Sequence, residues 1–344
     1  MQKIVETLRG TLDKTFLANL RSYLGGHAGV TSFALISDYC VEDKDKPNDV
    51  IAFTLAPFDA ALPQSMAELD RLIPKDIKKT AEMNEGVFRA LNDPRFFHVA
   101  FMLEDISGFL HSEQLDRQTV LLQNMQLIIG MLQEWCDNQP EGKQKFEGQI
   151  KRFKMATREL ERPTANIKLF CRMTLTCILA AVLAFYLSKE TICKSILWLA
   201  DRDKIHDAFA KIYLDIFEIN HWGLCLQELP EERIPKIGSA VDEGAKRKLW
   251  FDALIRLPDF IAGTVASWNM EKNLTSREKH ARVLEQVVAD NLHCNLIKVE
   301  MRRDGWSFGI RPVGRVQHSD AATKAVPASN SPPYSQKTSK VSGS

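Results

Sequence analysis

The stretch Thr31-Ser-Phe-Ala-Leu-Ile-Ser-Asp38-Tyr39 has the composition of a buried β-strand that ends in a carboxylate. A polar, turn-rich stretch over 42–49 separates it from a second apolar run at 50–55. Two β-rich runs joined by a polar loop predict a hairpin. A third apolar run of strand length lies at 96–103, after a predicted helical stretch over 64–92. We therefore expect a sheet whose first strand places Asp38 at its end.

Helical periodicity dominates from 105 to 190, and strand patterns then return. Ser195-Ile-Leu-Trp-Leu-Ala-Asp201 predicts a short strand that again ends in an acid. A helix over 249–270 is expected, with Pro258 at a helix start and Asp259 just inside it. The remaining expectations are helices at 203–217 and 275–290, a strand at 222–226, a charged connection over 231–248, and a hairpin of strands at 295–301 and 306–310.

These patterns predict one α/β domain over 27–314, in which 105–190 is a large helical insertion. An amphipathic helix is expected over 1–26, stopped by Gly25 and Gly26. Seven serines and three prolines fall within 315–344, a stretch with almost no large apolar residues. Such a segment cannot bury enough apolar surface to order itself, so we expect a disordered tail over 315–344.

Composition excludes several classes of protein. The 344 residues are 45% hydrophobic and 26% charged, which is typical of a soluble globular chain. The 45 basic residues almost balance the 44 acidic ones, which excludes a uniformly basic nucleic-acid-binding surface. The seven cysteines are scattered, without the spacing of a zinc site, and are typical of buried thiols in a reducing compartment. We therefore expect a cytoplasmic protein.

One segment, 173–188, carries no charge over sixteen residues. A membrane-spanning helix needs about 20 apolar residues, so this run is short for a span. We expect the buried helix of a large domain, and a membrane anchor remains the alternative.

The aspartates at the ends of apolar elements are the candidate catalytic residues. Asp38 and Asp201 end predicted strands, and Asp259 lies near the predicted start of an apolar helix. Carboxylates at the ends of adjacent strands and on a facing helix can converge on one point. Because like charges repel, such a cluster is costly without cations, and carboxylate oxygens suit Mg²⁺ or Mn²⁺. Two such ions can promote the hydrolysis of a phosphodiester.

Each aspartate also has an ordinary structural explanation. Asp38 suits the start of a turn, Asp201 suits a helix N-cap, and Asp259 suits the positive end of a helix dipole. Other acids are weaker candidates, and most of them are expected to be solvated or capping residues: Asp49, which could face Asp38 across the hairpin, Glu104, Asp105, Asp203, Asp242 and Asp290.

The order of elements resembles the ribonuclease-H-like superfamily. Within it, the chain is similar to a bacterial and phage family of unknown function that has Asp-Glu-Ser-Gly after its first strand and a late Ala-Asp-Phe-Ile-Ala-Gly helix. The stretch Leu257-Pro-Asp259-Phe-Ile-Ala-Gly263 matches the late motif, and Leu199-Ala-Asp201-Arg matches the middle strand. Ser37-Asp38-Tyr-Cys matches the first motif only by its acid. The resemblance covers about 30–310.

The resemblance implies a mixed ribonuclease-H-like sheet flanked by helices. It also implies a metal-dependent nuclease that uses Mg²⁺ or Mn²⁺, with Asp38, Asp201 and Asp259 as catalytic metal ligands. The missing Glu-Ser-Gly favours the alternative of a binding module that keeps the fold without the chemistry.

Two local basic segments are the candidate nucleic-acid contacts. The stretch 143–172 has nine basic residues against three acidic ones, and 298–315 has five against two, with aromatic residues interleaved. Basic side chains with stacking aromatics suit a nucleic-acid strand, whereas a solvated helix face and a charged edge hairpin are the ordinary explanations. The residues selected are Lys151, Arg152, Lys154, Arg158, Arg302, Arg303 and Trp306.

Overall fold

A mixed sheet of seven strands lies between two layers of helices in the computed structural model, which describes residues 2–75, 83–201, 204–240, 249–303 and 305–314. Residues 2–314 of this described part belong to one compact unit. The strands are β1 (Ser32–Cys40), β2 (Asp49–Pro57), β3 (Phe97–Asp105), β4 (Ser195–Ala200), β5 (Lys236–Ala240), β6 (Trp268–Asn269), β7 (Leu274–Thr275), β8 (Cys294–Arg302) and β9 (Gly305–Ile310). Strands β6 and β7 form a separate small ribbon.

The order across the large sheet is β5-β4-β1-β2-β3-β8-β9. Strands β1, β2 and β3 are antiparallel neighbours, which confirms the predicted hairpin. Strand β4 pairs in parallel with β1, and β5 with β4. On the other side, β8 pairs in parallel with β3 and forms the predicted hairpin with β9. Strands β1, β3, β4, β5 and β8 therefore all end at the same edge of the sheet.

The helices of the described part are α1 (Gln2–Leu12), α2 (Phe16–Gly25), α3 (Leu62–Leu72), α4 (Glu85–Leu91), α5 (Arg117–Asn138), α6 (Lys143–Leu160), α7 (Ile167–Glu190), α8 (Lys204–Asp207), α9 (Tyr213–Cys225), α10 (Asp252–Ser267) and α11 (Glu278–Val283). Helices α5 to α7 confirm the predicted helical stretch. The range predicted as one N-terminal helix holds two, α1 and α2.

Both faces of the sheet are buried because most positions of the central strands, on both faces, hold apolar residues. In β1, Phe33 and Leu35 pack into one core cluster, which includes residues of α1, α2, α5, α6, α7 and α9. Ala34 and Ile36 pack into the other, with residues of α3, α4, α10 and α11. Successive side chains of a strand point to opposite faces, so β1 contributes to both layers.

Helix α7 is the core helix of the first layer. It is long and apolar enough to cross a membrane by length and composition alone, and 94% of its most apolar window is buried inside the protein. All seven cysteines are free, and five of them are buried. This burial agrees with the buried helix predicted for 173–188.

Two predictions in the second half of the chain are wrong. The strand expected at 222–226 belongs mostly to α9, where Phe217, His221 and Cys225 recur every four residues and are buried on one face. Strand β5 lies inside the stretch expected as a charged connection. The predicted tail over 315–344 and the part of the predicted helix at 76–82 lie outside the described residues.

Candidate active site

Two adjacent parallel strands carry carboxylates at one edge of the sheet, with Asp38 near the end of β1 and Asp201 directly after β4. The register of β1 with β4 pairs Ser37 with Ala200, so the next residues along these strands are Asp38 and Asp201. Neighbouring strands lie about 4.8 Å apart, which brings the two backbones close together. Residues at the ends of strands separated by more than 150 positions are thus neighbours in space.

The alternation of side chains places both carboxylates on the face that α10 covers. Asp38 follows Ala34 and Ile36 at a spacing of two, and these two residues pack in the cluster that contains α10. Leu197 and Leu199 of β4 contact the same cluster, and Asp201 follows them at the same spacing. Asp38 is half-buried, whereas Asp201 is exposed.

Helix α10 packs across β1 and β2 and brings the third aspartate to this edge. Asp259 is half-buried, and its carboxyl group forms a hydrogen bond with that of Asp38. The neighbouring Phe260 and Ile261 are fully buried. Asp259 therefore points from an apolar helix face towards the ends of β1 and β4.

The electrostatics of Asp38 show that the three carboxylates interact. Burial raises the pKa of Asp38 well above its usual range, and the neighbouring charges of Asp259 and Asp201 raise it further. The hydrogen bond with Asp259 acts in the same direction, while a bond from the backbone of Tyr39 opposes it. Like charges that are partly removed from water favour a protonated form. Of the two neighbouring charges, that of Asp259 has the larger effect on the pKa of Asp38.

The expectation that Asp259 opens a helix is wrong. Helix α10 begins at Asp252, so Pro258 lies inside it and Asp259 is its eighth residue. The favourable dipole position in the first turn is occupied by Asp252, which forms an ion pair with Arg256 at 2.6 Å. Pro258 has no N–H to donate to the carbonyl of Leu254. The helix dipole therefore does not account for the position of Asp259.

The donor chemistry of the three aspartates suits Mg²⁺ or Mn²⁺, because carboxylate oxygens are hard ligands. Their arrangement is not that of a completed site. Among the residues that the structure describes, no group of three or more His, Cys, Asp and Glu side chains is placed to hold a metal ion. The raised pKa of Asp38 agrees with this result, because a carboxyl group that keeps its proton is a poor metal ligand.

Asp49 does not face Asp38, because Ala52 is the residue opposite Asp38 in the hairpin. Asp49 instead accepts hydrogen bonds from the backbone N–H of Glu42 at 2.7 Å and from Arg172 at 2.9 Å. Glu42 also forms an ion pair with Arg172 at 2.7 Å. These contacts fix the connection that follows β1.

Arg172 is a residue whose role the sequence analysis missed. Its side chain is 6% exposed, near the start of α7 and bridging Glu42 and Asp49. Lys168, one turn earlier, also pairs with Glu42 at 2.7 Å. The available signal was a pair of basic residues, Lys168 and Arg172, in the first turns of a helix that carries no charge from 173 to 188. The bridge attaches α7 of the insertion to the edge of the sheet that carries the aspartates.

The basic residues selected on α6 lie in the other helical layer. Phe153, Ala156 and Leu160 attach α6 to the core cluster on the face opposite Asp38. Arg152 forms a two-pronged ion pair with Asp215 of α9, at 2.6 and 2.7 Å, and so has a packing role. The other three residues selected on α6 are exposed: Lys151, Lys154 and Arg158. Their contact with nucleic acid stays a prediction.

The basic residues selected near the last hairpin lie at the same edge of the sheet as the aspartates. Arg302 ends β8 and pairs with Glu300, and the exposed Arg303 follows it. Three strands separate β8 from β4 in the sheet order. Trp306 belongs to β9, and its side chain lies outside the described part, as do Asp203 and Asp242. This edge thus presents a carboxylate cluster and two arginines.

Comparisons with family models, with curated proteins and with solved structures returned no match for this chain.

Proposed function

We propose that the chain is a divalent-metal-dependent hydrolase of nucleic-acid phosphodiesters, with its site at the carboxyl end of β1 and β4. The observation that carries this proposal is the meeting of Asp38, Asp201 and Asp259. They come from three distant parts of the chain, and the charges of Asp201 and Asp259 both act on Asp38. A carboxylate whose pKa is raised by burial and by neighbouring charges, such as Asp38, is a candidate for a functional site.

The strand order supports the ribonuclease-H-like resemblance. The two strands that end in aspartates, β1 and β4, are adjacent and parallel, and the antiparallel β2 and β3 follow on the other side of β1. The late helix α10, which carries Leu257-Pro-Asp259-Phe-Ile-Ala-Gly263, lies over β1. The elements that carry the resemblance along the chain are thus neighbours around one site.

In this proposal, Asp38 loses the proton that its raised pKa favours, and Asp38, Asp201 and Asp259 would together hold Mg²⁺ or Mn²⁺. Bound there, such an ion would activate a water and stabilise the leaving oxygen. Arg302 and Arg303 at the same edge contact backbone phosphates, as do the exposed residues of α6 along a longer strand.

The test is a cleavage assay on single- and double-stranded DNA and RNA, with Mg²⁺ or Mn²⁺. Wild type should cleave at least one substrate, and Asp259→Asn should lose at least 100-fold in rate, in line with the loss of a group that stabilises the transition state. The matched control is Asp137→Asn, an exposed aspartate on α5, which should cleave as wild type does. Equal cleavage by wild type and Asp259→Asn would reject the proposal.

Loss of activity through misfolding is distinguished by stability. Asp259→Asn removes a like charge beside the half-buried Asp38, so the metal-free variant should be at least as stable as wild type at pH 8. Melting temperatures with and without Mn²⁺ separate the two effects, because a ligand stabilises only the state that binds it. Mn²⁺ should stabilise wild type and not the variant.

A second candidate is a ribonuclease-H-like binding module without catalysis. It is favoured by the lack of a metal-holding group among the described residues and by Tyr39-Cys40 in place of Glu-Ser after Asp38. Calorimetry with Mn²⁺ separates the candidates. A hydrolase should bind the ion with release of a proton from the carboxyl pair, whereas a module of this kind should show no binding.

A further inference from the structure

A cavity of about 360 Å³ opens between α5, α6, α9 and the start of β5. Phe146 and Ile237, which line it, pack against the core cluster on the face opposite Asp38. Trp135, Phe146 and Trp222 provide its aromatic lining, and the rings of Trp135 and Phe146 lie 5.6 Å apart. This volume and apolar lining are typical of sites for small molecules.

One carboxylate in the lining has an oxygen available to a ligand. Gln149 Nε2 donates a hydrogen bond to Oε2 of Glu218, and Lys145 Nζ forms an ion pair with the same oxygen, each at 3.1 Å. Gln149 is 2% exposed, so a buried side chain holds the carboxylate of Glu218 in place. Oε1 of Glu218 has no hydrogen-bond partner within the described residues. An N–H group of a ligand could therefore donate to it.

The charges of the lining favour an anionic substituent at the entrance. Lys145 balances Glu218, so the exposed ammonium of Lys236 is the excess charge. Lys236 forms no ion pair with any residue in the described ranges. Burial lowers the pKa of the lining residue His221 to about 4, so this imidazole is neutral near pH 7. Opposite charges across a partly exposed site attract, which favours an anion beside Lys236.

We propose that this cavity binds a planar aromatic molecule that carries a ring N–H and an anionic substituent. The ring lies against Trp135, Phe146 and Trp222, the N–H donates to Glu218, and the anion faces Lys236. Aromatic side chains prefer offset-stacked or edge-to-face contacts with other rings. The site is independent of the aspartates, which lie on the other face of the sheet.

Matched indoles test the proposal with the full chain by calorimetry. Indole-3-propionate, the anionic probe, should bind about tenfold more tightly than tryptamine, which carries the same ring and a positive charge. Its 1-methyl derivative should bind about tenfold more weakly, because a hydrogen bond to a charged acceptor is lost. Equal binding of indole-3-propionate and tryptamine, tighter binding of tryptamine, or no binding of any probe at millimolar concentration would overturn the proposal.

Variants locate the binding site. Lys236→Met should weaken the binding of indole-3-propionate about three- to fivefold and leave the binding of neutral indole unchanged, as expected for an exposed ion pair. Lys272→Met, at an exposed lysine between β6 and β7, is the control and should bind both probes as wild type does. Trp222→Ala should abolish the binding of both indole-3-propionate and indole. If Lys236→Met and Lys272→Met bind indole-3-propionate alike, the assignment of the anion to Lys236 is wrong.

Discussion

Lowering the pH from 7 to 5 should destabilise the protein, in part through His98. This residue is fully buried in β3, opposite Thr54 of β2. Its Nε2 lies 2.9 Å from the carbonyl oxygen of Leu91, and its Nδ1 lies 2.9 Å from the Thr54 hydroxyl. A neutral ring satisfies both contacts if Nε2 carries the proton and Nδ1 accepts from Thr54.

Burial lowers the pKa of His98 to about 4, against 6.5 for the free side chain. The unfolded chain therefore binds a proton near pH 6.5 that the folded protein does not accept until about pH 4. The stability from the neutral ring is fully present above pH 6.5 and is lost as the pH falls from there through 4. A shift of this size corresponds to about 3 kcal/mol in total, of which about 2 kcal/mol is lost between pH 7 and pH 5.

The assay is urea unfolding of wild type and His98→Gln at pH 7, 6 and 5. Gln keeps a donor for the Leu91 carbonyl and does not titrate in this range, so the variant should lose about 2 kcal/mol less over this interval than wild type. The comparison is needed because burial also lowers the pKa of His221 and His280 to about 4. Parallel pH profiles for the two proteins would refute the reasoning. The C–H resonance of His98, followed by NMR, gives an independent value for the folded pKa.

Two further predictions concern positions that hold the layers together. Gly108→Ala should lower the free energy of unfolding by about 2–3 kcal/mol, because a Cβ there would overlap the carbonyl of Arg302. Gly130→Ala, which has open space around it, is the control and should leave the free energy of urea unfolding unchanged. Arg152→Met should lower the free energy of unfolding by about 2 kcal/mol at pH 7 in the same assay, because Asp215, which is 4% exposed, loses its ion-pair partner. That value is below the range for a fully buried pair, since Arg152 is 43% exposed, and an unchanged midpoint would contradict it.

The sequence predicted the elements of the candidate site better than their geometry. Apolar runs that end in Asp38 and Asp201 are local patterns, and both strands were found. Their pairing was inferred from an order of elements, because no local pattern records which distant strand lies beside β1. The position of Asp259 was misjudged for a related reason. Proline is common at helix starts, which led to the prediction for Pro258. In the structure, tertiary packing places Pro258 inside α10, where Leu257 and Phe260 are fully buried.

The two errors outside the site have different physical causes. Strand β5 is only five residues long, begins with an exposed lysine and contains Gly238, so its composition does not distinguish it from a loop. Pairing with β4 supplies the hydrogen bonds that its own residues do not predict. The stretch at 222–226 has the apolar content of a short strand. Its helical spacing becomes visible only together with Phe217 and His221, since short apolar runs are ambiguous.

The aspartate cluster is expected to reduce the stability of the fold. This is a reason to place the functional site there rather than on the basic residues of α6. Exposed lysines such as Lys151 and Lys154 are compatible with any solvated helix face and need no further explanation. Asp259, in contrast, lies in a helix whose neighbouring residues are buried, and it faces a second carboxyl group whose ionisation burial already opposes. Stability alone would favour an uncharged residue at this position. Residues that reduce the stability of a fold are expected at functional sites. A cation bound between the three carboxylates would replace their mutual repulsion by attraction.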